Sequence, residues 1–115
     1  MAKNYYEDGK TMDWANSTGA DVRSGDPVPV GMVMGVAHSD IPDGMEGVLH
    51  MDGVWVLAKN GADTWQCGDK LYLIPDTGLI TNIAGDEEAG TSYPEAGVAW
   101  VSVNPADTEC LVKIG

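Results

Sequence analysis

A chain of 115 residues with 43% apolar content is one folded domain by length and is not a disordered polymer. Its 18 acidic against 6 basic residues leave a formal charge of −12, which repels nucleic acid and offers few cations to neutralise phosphates. No stretch approaches the ~20 apolar residues of a membrane span, and no apolar run follows Met1-Ala2-Lys3-Asn4 to make a signal peptide, so synthesis in a cytoplasm is expected.

In chain order, residues 1–9 read as a polar arm tipped by Tyr5 and Tyr6, and residues 10–115 as the β-domain. Lys10 to Trp14 is a short strand, followed by a loop over Asn16–Asp21. Ser24-Gly25-Asp26 then forms a tight corner: glycine takes a positive φ, and the Asp side chain accepts from nearby backbone N–H groups. From that corner Val28, Val30, Met32 and Met34 fall at every second position, the period of a strand. Pro27 and Pro29 remove two ladder donors and place this strand at a sheet edge or at its start. Ile41-Pro42-Asp43-Gly44 is a turn. Gly47 to Ala58 is the strongest β-segment, and Asp52-Gly53 in its middle favours a type I′ hairpin over one bulged strand.

The corner device recurs at Cys67-Gly68-Asp69, which releases Lys70-Leu71-Tyr72-Leu73. Pro75-Asp76-Thr77-Gly78 turns that strand back through Leu79–Ile83, Gly85–Pro94 is a polar loop, and Val98–Val103 and Cys110–Ile114 close the chain. Eight to ten short strands without a helical period predict an all-β barrel or sandwich.

Catalytic and metal motifs do not emerge. Gly9-Lys10-Thr11 ends like a phosphate loop, but the glycine required first falls on Asn4. His38 reads as a loop residue and His50 as a side chain held in the sheet, two isolated histidines that make no metal site. Cys67 and Cys110 lack metal-ligand spacing and read as reduced, buried thiols rather than a disulfide. Gly25, Asp26, Gly68 and Asp69 are assigned to turns. Trp55 and Trp100 alternate with apolar neighbours and are expected in the core, whereas Trp14 and Trp65 lie near loops and are candidate interface anchors. No cofactor is expected.

The ordered series Glu7-Asp8-Gly9-Lys10-Thr11, Ser24-Gly25-Asp26-Pro27-Val28, Asp52-Gly53-Val54-Trp55-Val56-Leu57, Gly68-Asp69-Lys70-Leu71-Tyr72, Gly78-Leu79-Ile80-Thr81, Ala96-Gly97-Val98-Ala99 and Leu111-Val112-Lys113-Ile114 resembles the capsid cement, or head decoration, proteins of tailed bacteriophages. The acidic segment Asp86-Glu87-Glu88 and the tryptophan content depart from that pattern. The resemblance implies a non-enzymatic virion protein on the outer capsid surface, clamping neighbouring subunits of the major capsid protein. It also suits a homo-oligomer, dimer or trimer, at symmetry axes of the shell. In that setting Ala2, Lys3, Asn4, Tyr5 and Tyr6 are expected to be a docking arm that adds to a neighbour's strand edge. The competing function is a small carbohydrate- or ligand-binding module stacking its ligand on Trp14 or Trp65, with an enzyme subunit ranked last.

Overall fold

The computed structural model describes residues 9–86, 88 and 90–115, and every regular element within them is a strand. These are β1 (Thr11–Ala15), β2 (Pro27–Val30), β3 (Val33–Ala37), β4 (Glu46–His50), β5 (Gly53–Ala58), β6 (Lys70–Ile74), β7 (Leu79–Thr81), β8 (Gly85–Asp86), β9 (Thr91–Ser92), β10 (Glu95–Ala99) and β11 (Glu109–Ile114). Nine of them build one curled, half-barrel sheet in the order β1-β4-β3-β10-β11-β5, with β2 added to β3, β6 added to β10 and β7 added to β6. The all-β expectation holds, and the sheet curls on itself instead of splitting into a sandwich. The loop expected over Gly85–Pro94 contains the small β8–β9 ladder.

Two local expectations are corrected by pairing. The alternation from Val28 to Met34 is not one strand, because the chain reverses at Gly31-Met32 and β2 lies antiparallel on β3. Likewise Asp52-Gly53 does not close a hairpin. One flank of β4 is taken by β1 and the other by β3, so no edge is left for β5, which pairs with β11 instead.

That rerouting exposes the plan of the molecule: the second half repeats the first. In the first half Gly25 N–H donates to Ala37 O and Ala37 N–H returns to Asp26 O; in the second, Gly68 donates to Ala99 and Ala99 to Asp69. The Val22–Ile41 bridge recurs as Trp65–Val103, and Val28 opposite Gly35 recurs as Leu71 opposite Gly97. Strands β1 and β4 of the first half map onto β5 and β11, with Asp13 opposite Val48 matched by Val56 opposite Leu111. Even the entry into each second corner matches, since Asn16 N–H donates to Met45 O and Lys59 N–H to Thr108 O. At the seam the equivalent residues Val33 and Glu95 face each other in a parallel bridge. The β6–β7 hairpin and the β8–β9 ladder fill the second half where the first has only the tight β2–β3 turn.

Each half carries its own core. Val28, Ala37, Ile41 and Leu49 cluster with Trp14, Val22, Val30 and Met51. Their counterparts Leu71, Ala99, Val103, Val112, Leu57, Trp65, Leu73 and Ile114 all belong to the second cluster, which also takes in Met34 and Val36 from across the seam.

The corners anchor both copies. Gly25 and Gly68 sit at φ 86° and 94°. Asp26 Oδ2 accepts from Arg23 N–H and Asp69 Oδ2 from Gln66 N–H, both at 3.0 Å, while each Asp N–H donates back to the same residue's carbonyl. A β-branched side chain resists this conformation, so Gly25→Val and Gly68→Val should each cost about 1–3 kcal/mol. Thermal melts measure it; wild-type melting temperatures for both would dismiss the corners as anchors.

A candidate interaction surface

On antiparallel strands, residues directly opposite share a face. Val98 lies opposite Lys113, which lies opposite Val54; Leu111 lies opposite Val56, and Trp100 N–H donates to Leu111 O. The outer face of β10, β11 and β5 therefore brings Val98, Trp100, Leu111, Val54 and Val56 into one patch, with Glu109 and Lys113 beside it. Val56 is 60% and Trp100 51% exposed. Isolated exposed apolar side chains are ordinary, but a contiguous group on one sheet face marks an interaction surface.

The duplication supplies a control within the same molecule. The positions equivalent to Val54, Val56 and Trp100 in the first half are Thr11, Asp13 and His38, on the same backbone framework. Val98 and Leu111 correspond to the apolar Val36 and Val48, so it is at Val54, Val56 and Trp100 that the fold is satisfied by polar residues and the apolar character of the second copy answers to something other than folding.

The tryptophans exchange the places expected of them. Trp65 is 4% exposed, drawn into the core by its antiparallel bridge to Val103, with Lys59 Nζ 5.8 Å above its ring. Trp14 is half-buried against the first core cluster. Trp55 is half-buried too, whereas Trp100, expected in the core, projects to solvent from the residue after β10. Trp65 is therefore closed off from solvent, and Trp100 is the indole exposed on the patch. The arm residues Ala2 to Tyr6 lie outside the described residues. Gly25 and Asp26 occupy the first corner, and Gly68 and Asp69 the second, where they hydrogen-bond to Ala99 between Val98 and Trp100 of the patch.

Other side chains converge little. Among the described residues no group of three His, Cys, Asp or Glu is arranged to hold a metal ion. A groove at the seam, lined by Val33, Met51, Val98, Lys70 and Glu95, carries an ion pair between Lys70 and Glu95 at 3.9 Å; both ends are exposed, so it contributes little. His38 and His50 are not isolated: His38 Nδ1 lies 2.8 Å from His50 Nε2.

Both cysteines are free, but only Cys110 is buried. Burial pushes its thiol up from 9.0 to about 11, partly offset by Lys59, with Glu109 adding to the rise. Because the folded value is raised, the stabilising contribution of this protonated thiol is complete below pH 9.0 and fades as pH climbs through about 11. At neutral pH a maleimide should label Cys67 rapidly and Cys110 only after unfolding. Equal labelling rates in the native protein would contradict this assignment.

A small all-β module, built as a tandem repeat and bearing one apolar outer face, belongs to the class of structural interaction proteins. The chain matches the phage cement protein family over residues 6–114, nearly its whole length, and it belongs to that family. It is a structural component of the phage capsid. Comparison with curated proteins and with solved structures returned no match.

Proposed function

We propose that the protein sits on the outside of the phage head and clamps neighbouring subunits of the major capsid protein, without enzymatic activity. The observation that carries this reading is the outer face of β10–β11–β5, on which Val54, Val56 and Trp100 stand where the first half has Thr11, Asp13 and His38. That face is the docking surface for the coat lattice, and Trp100 is its aromatic anchor. Residues 2–6 form a second docking element, Tyr5 and Tyr6 offering amphipathic side chains to a coat strand edge. With a formal charge of −12 on the chain, affinity for an acidic shell comes from apolar and main-chain contacts and rises as salt screens repulsion.

Co-sedimentation with purified heads lacking the protein tests this reading. The full chain should pellet with mature heads to saturation, and deletion of residues 2–6 should lower occupancy while leaving the melting temperature unchanged. A chain that stays in the supernatant with intact heads overturns the proposal.

A further inference from the structure

His38 follows β3 and His50 ends β4. The β3–β4 register sets Val36 opposite His50 and Ala37 opposite Leu49, which leaves His38 diagonal to His50. Their rings meet edge to face, with centroids 4.9 Å apart and planes at 66°, and the two nitrogens His38 Nδ1 and His50 Nε2 are 2.8 Å apart. The His50 ring also packs on Trp55, centroids 5.0 Å apart, and Trp55 is fixed by its Nε1–H donating to Asp52 O at 2.8 Å. At the equivalent positions the second half has Trp100 and Lys113, so the fold does not call for imidazoles here.

We propose that His38 and His50 form a two-imidazole site for a first-row transition-metal dication, of the Ni(II) or Cu(II) kind. Imidazole nitrogens suit these ions, and metal–nitrogen bonds run about 2.0–2.1 Å. Two such bonds at a right angle place the nitrogens roughly 2.9 Å apart, and at a tetrahedral angle roughly 3.3 Å. The observed 2.8 Å is the length of an N–H···N contact, and it brings the two ring nitrogens within the span that one such ion bridges. Rotation of each ring about χ2 turns both lone pairs from each other onto a shared point, and Trp55 braces one of the rings. No third His, Cys, Asp or Glu joins the pair among the described residues, which leaves the other coordination positions open to water. The site stands apart from the capsid reading, and neither depends on the other.

The test uses tag-free full-length protein carrying Cys67→Ser, which removes the exposed thiol as a competing ligand. Titration with NiCl2 should show one saturable equivalent by calorimetry and partial quenching of tryptophan emission. His38→Gln and His50→Gln should each weaken binding at least about tenfold. Trp55→Phe should keep the calorimetric binding and lose most of the quenching. In wild-type amide spectra, substoichiometric Ni(II) should broaden the signals of residues 38 and 50 first, a readout that needs no variant. Absence of saturable binding, unchanged affinity in either histidine variant, or undiminished quenching in Trp55→Phe overturns the site and leaves a simple N–H···N hydrogen bond.

Discussion

Gly97→Ala should be among the most destabilising single substitutions in this protein, while the same change at its counterpart Gly35 should be mild. A Cβ at Gly97 would run into the carbonyl oxygen of Lys113, with Lys113 C and Ile114 Cα close behind, and Gly97 sits at φ 153°. Those atoms are backbone of β11, which is held on both flanks by β10 and β5 and has no room to retreat. Overpacking and backbone strain together should cost about 3 kcal/mol or more, on the order of 10 °C in melting temperature. At Gly35 a Cβ would meet Met51 Sδ at 2.8 Å, part of a flexible side chain, and then Leu49 Cβ at 3.0 Å and His50 O at 3.2 Å, which must give by only a few tenths of an ångström, and no positive φ is involved. There the cost should be about 1 kcal/mol. Thermal melts of the two variants side by side give the comparison. Equal shifts would mean that the β10–β11 contact is loose enough to admit a Cβ at Gly97.

The second large effect is expected at the docking face. Trp100→Ala should weaken binding to heads by about 2 kcal/mol, roughly thirtyfold, because an exposed indole in an apolar patch is the kind of residue on which interface energy concentrates. Its fold cost should be small, since half its surface faces solvent and His38 fills the matching place in the first half. His38→Ala is the control: same position in the repeat, no expected loss of head binding. A binding curve for Trp100→Ala superimposed on wild type would place the contact surface elsewhere on the module.

Much of this architecture is legible in the chain because its punctuation is local. The Gly25-Asp26 and Gly68-Asp69 corners need only a glycine at positive φ and a carboxylate three residues past the N–H it accepts from, so their chemistry reads directly from sequence. The β6–β7 hairpin is legible for the same reason, its turn being closed by neighbouring residues. What escapes the sequence is pairing between distant segments. Asp52-Gly53 has the local chemistry of a hairpin, yet whether β4 still has a free edge depends on β1 and β3. The inward or outward sense of Trp65 and Trp100 depends on the register across the second corner, which no local alternation fixes. The His38–His50 contact arises because antiparallel strands bring together residues 12 apart in the chain. The duplicated corner was a clue to part of this: extending it towards the N-terminus aligns Val22 with Trp65, whereas the match of His38 with Trp100 lies beyond the inserted β6–β9 segment and emerges only from the pairing.

The most direct measurement compares phage heads that carry the protein with heads that lack it, at equal DNA content, under a temperature ramp. A ligand that binds only the assembled lattice stabilises it by mass action, and many copies sum their modest interfaces. Heads at full occupancy should rupture at a clearly higher temperature, and heads saturated with the Trp100→Ala protein at high concentration should recover part of that gain. Rupture at the same temperature with and without a full complement of protein would contradict cementing.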